Sequence, residues 1–212
     1  MRDIPVFTTD NGVGSLTLKN IPYTAEAYVR VHDISDLYAF LKECVDFCRA
    51  VGAERIYASC GSKELCLPQF TEVWEMSGAI EQLPDTRAVA HFVADCDLEQ
   101  WRHTYNLHMK DVPTAAYLSA EDLNNRKGNL YYIYDEDVII GLGIASNGRI
   151  DGIVSLCHGK GQDVLLALCN TMSLKRVVLE VASENGRAVS LYRRLGFEKT
   201  TVVNVWYLVY PK

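Results

Sequence analysis

Residues 178–197 read V-L-E-V-A-S-E-N-G-R-A-V-S-L-Y-R-R-L-G-F and compress a strand, a turn, a helix and a helix stop into one segment. Val178, Leu179 and Val181 form an apolar run suited to a buried strand, and Glu184-Asn185-Gly186 supplies turn chemistry. Ala188, Leu191, Tyr192 and Leu195 then recur at helical spacing on one face, and Gly196 stands where helices commonly stop in the left-handed conformation. Tyr192 is the odd member of that face.

Upstream, between Leu156 and Val164, C-H-G-K-G-Q-D joins a strand to a helix predicted over about 161–172. Glycines let the backbone approach a ligand closely, first-turn N–H groups are unpaired, and the helix dipole favours negative charge, so the loop suits an anion, with Lys160 adding a cation. An ordinary helix start capped by Asp163 is the competing reading. Neither G-x-x-x-x-G-K-[ST] nor G-x-G-x-x-G is present, which excludes the nucleoside triphosphate and dinucleotide loops at the level of spacing.

Together the two segments resemble the acetyl-CoA binding core of the GCN5-related N-acetyltransferases. H-G-K-G-Q-D is similar to that family's R/Q-x-x-G-x-G/A loop, and E-N-G-R-A-V-S-L-Y-R-R-L-G-F matches its N-x-x-A-x-x-L-Y-x-x-x-G-F segment at every defined position. The resemblance implies an α/β fold with a mixed sheet, in which two parallel strands near Ile153–Leu156 and Val177–Val181 splay apart. It implies acetyl-CoA as acetyl donor, its pantothenate arm pairing with backbone near Val154 and Leu156. His158, Gly159, Lys160, Gly161, Gln162 and Asp163 would surround the pyrophosphate, Asn185 would bind the arm, and Tyr192 would approach the sulfur.

Such a site needs no acyl-enzyme: a neutral amine attacks the thioester, a backbone N–H stabilises the oxyanion, and a hydroxyl such as that of Tyr192 protonates the leaving thiolate. Tyr192 is equally the kind of amphipathic tyrosine that completes a core. Glu180, on the strand before the Asn185 turn, is the candidate general base; Asp151 is a second carboxylate placed to face a substrate channel, and His158 lies nearer the phosphates. Tyr131, Tyr132 and Tyr134 alternate on a strand that could line the acceptor side.

His158 stands where that loop has Arg or Gln, and Asp163 where it has a small residue. A carboxylate about 5 Å from a pyrophosphate charge costs on the order of 3 kcal/mol per charge pair at an effective dielectric near 20. Asp163 could instead turn outward and cap the helix, or take the N–H groups meant for phosphate. Two functions follow: an N-acetyltransferase acting on a small-molecule or protein amine, or a degenerate member of the fold that binds a ligand or partner without catalysis.

The rest of the chain bounds these readings. With 49% hydrophobic residues over 212 positions it can bury a substantial core. A net charge of −6 argues against nucleic acid. V-I-I-G-L-G-I-A, the longest apolar run, is too short to cross a bilayer, and the N-terminus lacks a secretory pattern, so a cytoplasmic protein is expected. The seven cysteines form no C-x-x-C pair or Cys/His spacing, which leaves buried thiols and no metal as the expectation.

Residues 83–87, L-P-D-T-R, mark the expected boundary between an N-terminal α/β region, 1–86, and an acetyltransferase-like domain, 87–212. A strand-helix-strand order around residues 26–59 echoes the later one around residues 150–182, as a half-repeat would, though the unit is common. Neither the acceptor amine nor the oligomeric state is written in any motif.

Overall fold

The computed structural model describes residues 2–115 and 117–210. Two units share the chain: Met1–Val73 with Val202–Lys212, and Trp74–Thr201.

In the first unit, β1 (Ile4–Thr9), β2 (Gly12–Thr17) and β3 (Glu26–Ile34) run antiparallel in succession, with a single turn α1 (Ile21–Thr24) before β3. Helix α2 (Leu37–Ala50) then crosses to β4 (Arg55–Ser59), which lies parallel to β3. Asp36 starts α2 by accepting the Ala39 N–H at 3.0 Å. Phe40, Leu41, Cys44 and Cys48 form its buried stripe, and Gly52, at φ 100°, follows its end. The C-terminal part of β11 (Glu198–Tyr210) pairs antiparallel with β4, bringing Val205 and Tyr207 into the core under α2.

The second unit opens with the later residues of β5 (Gln69–Ala79) and continues through β6 (Val89–Phe92), α3 (Leu98–Met109), α4 (Ala120–Asn125), β7 (Leu130–Asp135), β8 (Val138–Ser146) and β9 (Arg149–Ser155). It ends with α5 (Gly161–Cys169), β10 (Arg176–Ala182), α6 (Gly186–Arg194) and the first residues of β11. The strand order is β6-β7-β8-β9-β10-β5-β11, so β5 stands between β10 and β11 although it precedes both by a hundred residues or more. The expected boundary at 86/87 therefore falls inside this unit. Ile80 N–H donates to the Lys175 carbonyl, and Gly78 lies so close to Phe197 that a Cβ there would meet its ring at 2.9 Å. These contacts tie the segment ahead of residue 83 to β10 and the chain after α6.

Helix α5 packs on one face of this sheet and α3 on the other. Gly141 and Gly143 of β8 admit α5: a Cβ at either would come within 2.4 Å of Val164 or Leu168. The core on the α5 side includes Ile133, Leu165, Leu168 and Leu179, and that on the α3 side Trp101, Leu130 and Leu142.

In both units an antiparallel pair, a crossover helix and a parallel strand follow in the same order, β2-β3-α2-β4 and β8-β9-α5-β10. The two parallel seams differ. β3 and β4 pair residue for residue from Glu26↔Arg55 to Arg30↔Ser59, whereas β9 and β10 pair only at Arg149↔Val178 and Ile150↔Leu179. Past those pairs, Asp151–Ser155 and Glu180–Ala182 have no ladder partner across the seam. The parallel strands of the second unit part there, as the sequence resemblance implied.

Candidate active site

The parting of β9 and β10 begins at a bulge. Ile144 faces Gly152 but Ala145 faces Ile150, which leaves Asp151 as the extra residue on β9. A one-residue insertion exchanges the faces of a strand. Ile150 accordingly joins the core on the α5 side, while Gly152 and Val154 lie on the α3 side, Gly152 against the Tyr105 ring.

Beyond the bulge, the main chain facing the gap is one residue out of phase with expectation. Leu156 N–H donates to the Ile140 carbonyl at 2.8 Å, so it serves β8. Bonded pairs alternate in an antiparallel ladder, and Val154, opposite Leu142, therefore also turns its N–H and C=O toward β8. The main-chain groups of Ile153 and Ser155 are the ones directed at the gap.

The loop 157–163 forms a turn that enters α5. Lys160 N–H donates to the Cys157 carbonyl at 3.2 Å, and Gly159 takes φ 83° with open space around its α-carbon. His158 and Gly159 are exposed, and Lys160, Gly161, Gln162 and Asp163 are half-buried. The N–H groups of Gly161, Gln162 and Asp163 open the helix, whose first intrahelical bond is Val164 N–H to the Lys160 carbonyl. Donors of this kind fit an anion.

Lys160 and Asp163 are engaged with each other rather than with that anion site. The Lys160 Nζ lies 2.7 Å from Asp135 Oδ2 and 3.3 Å from Asp163 Oδ2, and both partners hold its pKa up. Asp163 Oδ1 accepts the Thr86 hydroxyl at 3.1 Å. Asp163 thus neither caps the helix nor takes its free N–H groups.

Its direction follows from helix geometry. A Cβ on Gly161 would point at Leu191 of α6, 3.6 Å away, and Asp163 lies about 200° further round α5. The carboxylate faces an open cavity of about 630 Å³ lined by Asp85, Thr86, Asp135, Glu136 and Lys160, away from α6.

Leu191 brings α6 to the loop at Gly161, and the same helix has Asn185 at its start and Tyr192 within it. Asn185 is the N-cap of α6 and accepts the Ala188 N–H at 3.3 Å through Oδ1, leaving its amide N–H groups without a partner among the described residues. Tyr192 is 8% exposed and packs against Phe197 at 5.8 Å between ring centres, and its hydroxyl makes no hydrogen bond among the described residues. Burial, with the nearby Cys169 thiol, pushes its pKa up to about 12. The hydroxyl is therefore a proton donor at neutral pH.

Where the strands converge, charged side chains form one network. Arg149 binds Glu180, Asp151 at 3.1 Å and Glu75 at 3.7 Å, and Arg126 binds Asp151 at 2.9 Å. Glu180, the expected general base, is held by Arg149, so an amine must displace a guanidinium to reach it. Tyr131 and Ile133 are core residues, while Tyr132 and Tyr134 are half-buried on the other phase of β7.

Cys44, Cys48 and Cys169 are buried, and burial raises each thiol to about 12. Cys66 and Cys96 are exposed, contrary to the buried-thiol expectation. Among the described residues there is no His/Cys/Asp/Glu group able to hold a metal, and no helix is long and apolar enough to cross a membrane.

The equivalent place in the first unit is shut. Only Ser35 and Asp36 separate β3 from α2, Asp36 caps the helix with its own carboxylate, and the β3–β4 seam stays paired.

No family model matches the sequence, and no curated protein matches it. Solved structures do. A GCN5-related N-acetyltransferase from Sphaerobacter thermophilus matches with a TM-score of 0.57 at 14% identity, over 94% of this chain and 77% of that one. A GCN5-related N-acetyltransferase from Kribbella flavida matches with a TM-score of 0.58 at 8% identity, over 95% of this chain and 59% of that one. A functionally unknown conserved protein from Staphylococcus epidermidis matches with a TM-score of 0.56 at 12% identity, over 96% and 92%. The fold is that of the GCN5-related N-acetyltransferases, and the parted strands, the glycine loop and Tyr192 lie in its second unit.

Proposed function

We propose that the chain is an N-acetyltransferase that uses acetyl-CoA and a primary amine as substrates in a ternary complex. The observation that carries this reading is the parting of β9 and β10 after Ile150 and Leu179, with α6, the helix that bears Tyr192, following β10 in the chain. The pantothenate arm pairs with the main chain of Ile153 and Ser155 and with the free amide of Asn185. The pyrophosphate takes the N–H groups of Gly159, Gly161, Gln162 and Asp163, with His158 at the outer rim. Lys160 contributes by holding Asp135 and Asp163 away from that charge.

The amine lone pair attacks the thioester carbonyl carbon, and the carbonyl π pair moves onto oxygen. Collapse restores the carbonyl and breaks the C–S bond, while Tyr192 protonates the departing sulfur. The proton lost by the amine goes to Glu180, which Arg149 can release because it keeps Asp151 and Glu75 as partners. Holding both substrates in the gap removes much of the entropic barrier.

A non-catalytic binding module is the competing reading because of His158 and Asp163. The Asp163 carboxylate, directed at the Thr86 hydroxyl and sharing Lys160 with Asp135, supports the enzyme reading over that alternative. Calorimetric titration with acetyl-CoA, followed by thiol release with a panel of amines, tests the proposal. Absence of binding at millimolar acetyl-CoA would overturn it.

A further inference from the structure

Tyr105, on α3, belongs to none of the motifs of the loop or of α6. It is 3% exposed and stacks on Trp101 at 5.0 Å between ring centres. Its hydroxyl makes no hydrogen bond among the described residues and is not sealed off: Glu43 Oε2 alone among those residues is both fully buried and unpartnered, so the Tyr105 hydroxyl opens onto accessible space.

The surroundings say where that hydroxyl points. It rests on β9 at Gly152, so close that a Cβ there would lie 2.2 Å from it, and Gly152 adjoins the bulged Asp151 at which the strands part. Burial is the main cause that raises the Tyr105 pKa, with Arg126 lowering it and Asp151 and Tyr192 raising it further. Tyr192 belongs to the core on the α5 side of the sheet and Tyr105 to the core on the α3 side. The two tyrosines thus lie in cores on opposite faces of the sheet, and the Tyr105 hydroxyl sits at the residue of β9 where pairing with β10 has ended.

We infer that the Tyr105 hydroxyl donates a hydrogen bond to the acyl carbonyl oxygen and stabilises the oxyanion that forms there, opposite Tyr192 at the sulfur. This rests on the acetyltransferase reading above. Tyr105 transfers no proton: the oxygen gains the carbonyl π pair as the C–N bond forms and returns it as the C–S bond breaks. The hydroxyl suits that role because it stays protonated and carries no protein partner to give up. A donor of this kind is typically worth about 10²–10³-fold in turnover.

The test uses the full chain with acetyl-CoA labelled with carbon-13 at the carbonyl, read by isotope-edited infrared spectroscopy. The bound carbonyl band should lie at lower frequency in the wild type than in free solution. Tyr105→Phe should move it back toward the free value, and Tyr192→Phe should leave it in place. Turnover of Tyr105→Phe should fall about 10²–10³-fold with the KM for acetyl-CoA within about threefold. Replacing Tyr105 with 3-fluorotyrosine, which keeps the ring and strengthens the donor, should lower the band further and serves if the phenylalanine variant does not fold. A band unmoved by either change overturns the role of Tyr105 alone, whereas a wild type that binds no acetyl-CoA overturns the acetyltransferase reading and this inference with it.

Discussion

The Asp163 carboxylate accepts the hydroxyl of Thr86 at 3.1 Å, on the side of α5 turned away from Gly161 and α6. The acetyltransferase proposal requires that a carboxylate so placed leave the helix start open to an anion. Asp163→Asn should therefore change acetyl-CoA affinity by less than about threefold, while costing about 1 kcal/mol of stability through the Thr86 and Lys160 contacts. Calorimetry and urea denaturation of the same variant separate the two effects. A tenfold gain in affinity would show that the charge does act on the anion.

Tyr192→Phe should lower turnover by about 10²-fold or more and leave acetyl-CoA binding nearly unchanged. The same hydroxyl has a signature in stability. Its folded pKa, about 12, lies above the ordinary 10.0, so the folded state keeps a proton that the unfolded state loses. The associated stability is whole below pH 10 and declines as pH rises toward 12, by roughly 2–3 kcal/mol for this group. Alkaline denaturation of Tyr192→Phe should be correspondingly less steep than that of the wild type.

The first unit should bind no second acetyl-CoA. Its parallel seam is paired over the whole of β4, from Glu26↔Arg55 to Arg30↔Ser59, and its helix start is capped by Asp36. Titration should give one site per chain, and Asp36→Ala should lose about 1 kcal/mol of stability without creating another. Two sites of similar affinity would mean that the β3–β4 seam opens.

Gly141→Ala should destabilise the second unit by about 1–3 kcal/mol, because the new methyl would meet Val164 at 2.4 Å and the Val154 carbonyl at 2.7 Å. The midpoint of urea unfolding checks this. An unchanged midpoint would mean that α5 can move off the sheet at little cost.

Local pattern carried the segment 178–197 well. The strand, the Asn185 turn and the helix face are properties of near neighbours, and Gly196 takes φ 83° where the stop was expected. The orientation of Asp163 was not legible, because its partner Thr86 lies 77 residues away and Lys160 is shared with Asp135. Nor was the phase of β9: the bulge at Asp151 is defined by pairing with β8, and it decides that Ile153 and Ser155, rather than Val154 and Leu156, face the gap. The unit boundary escaped for the same reason, since β5 is assigned to its place by strands made after it. Tyr105 gave no signal at all, being one aromatic on an amphipathic helix until Gly152 is brought beneath it.

Strand β11 has a consequence for the order in which the protein can mature. Its first residues close the second unit, and its last, Val205 and Tyr207 among them, fill the core of the first. During synthesis the N-terminal strands must therefore wait, with β4 unpaired on one edge and that core open, while some 140 residues emerge behind them. The earlier-made strands of the first unit are thus completed only when β11 emerges, which leaves that edge and core open in the growing chain.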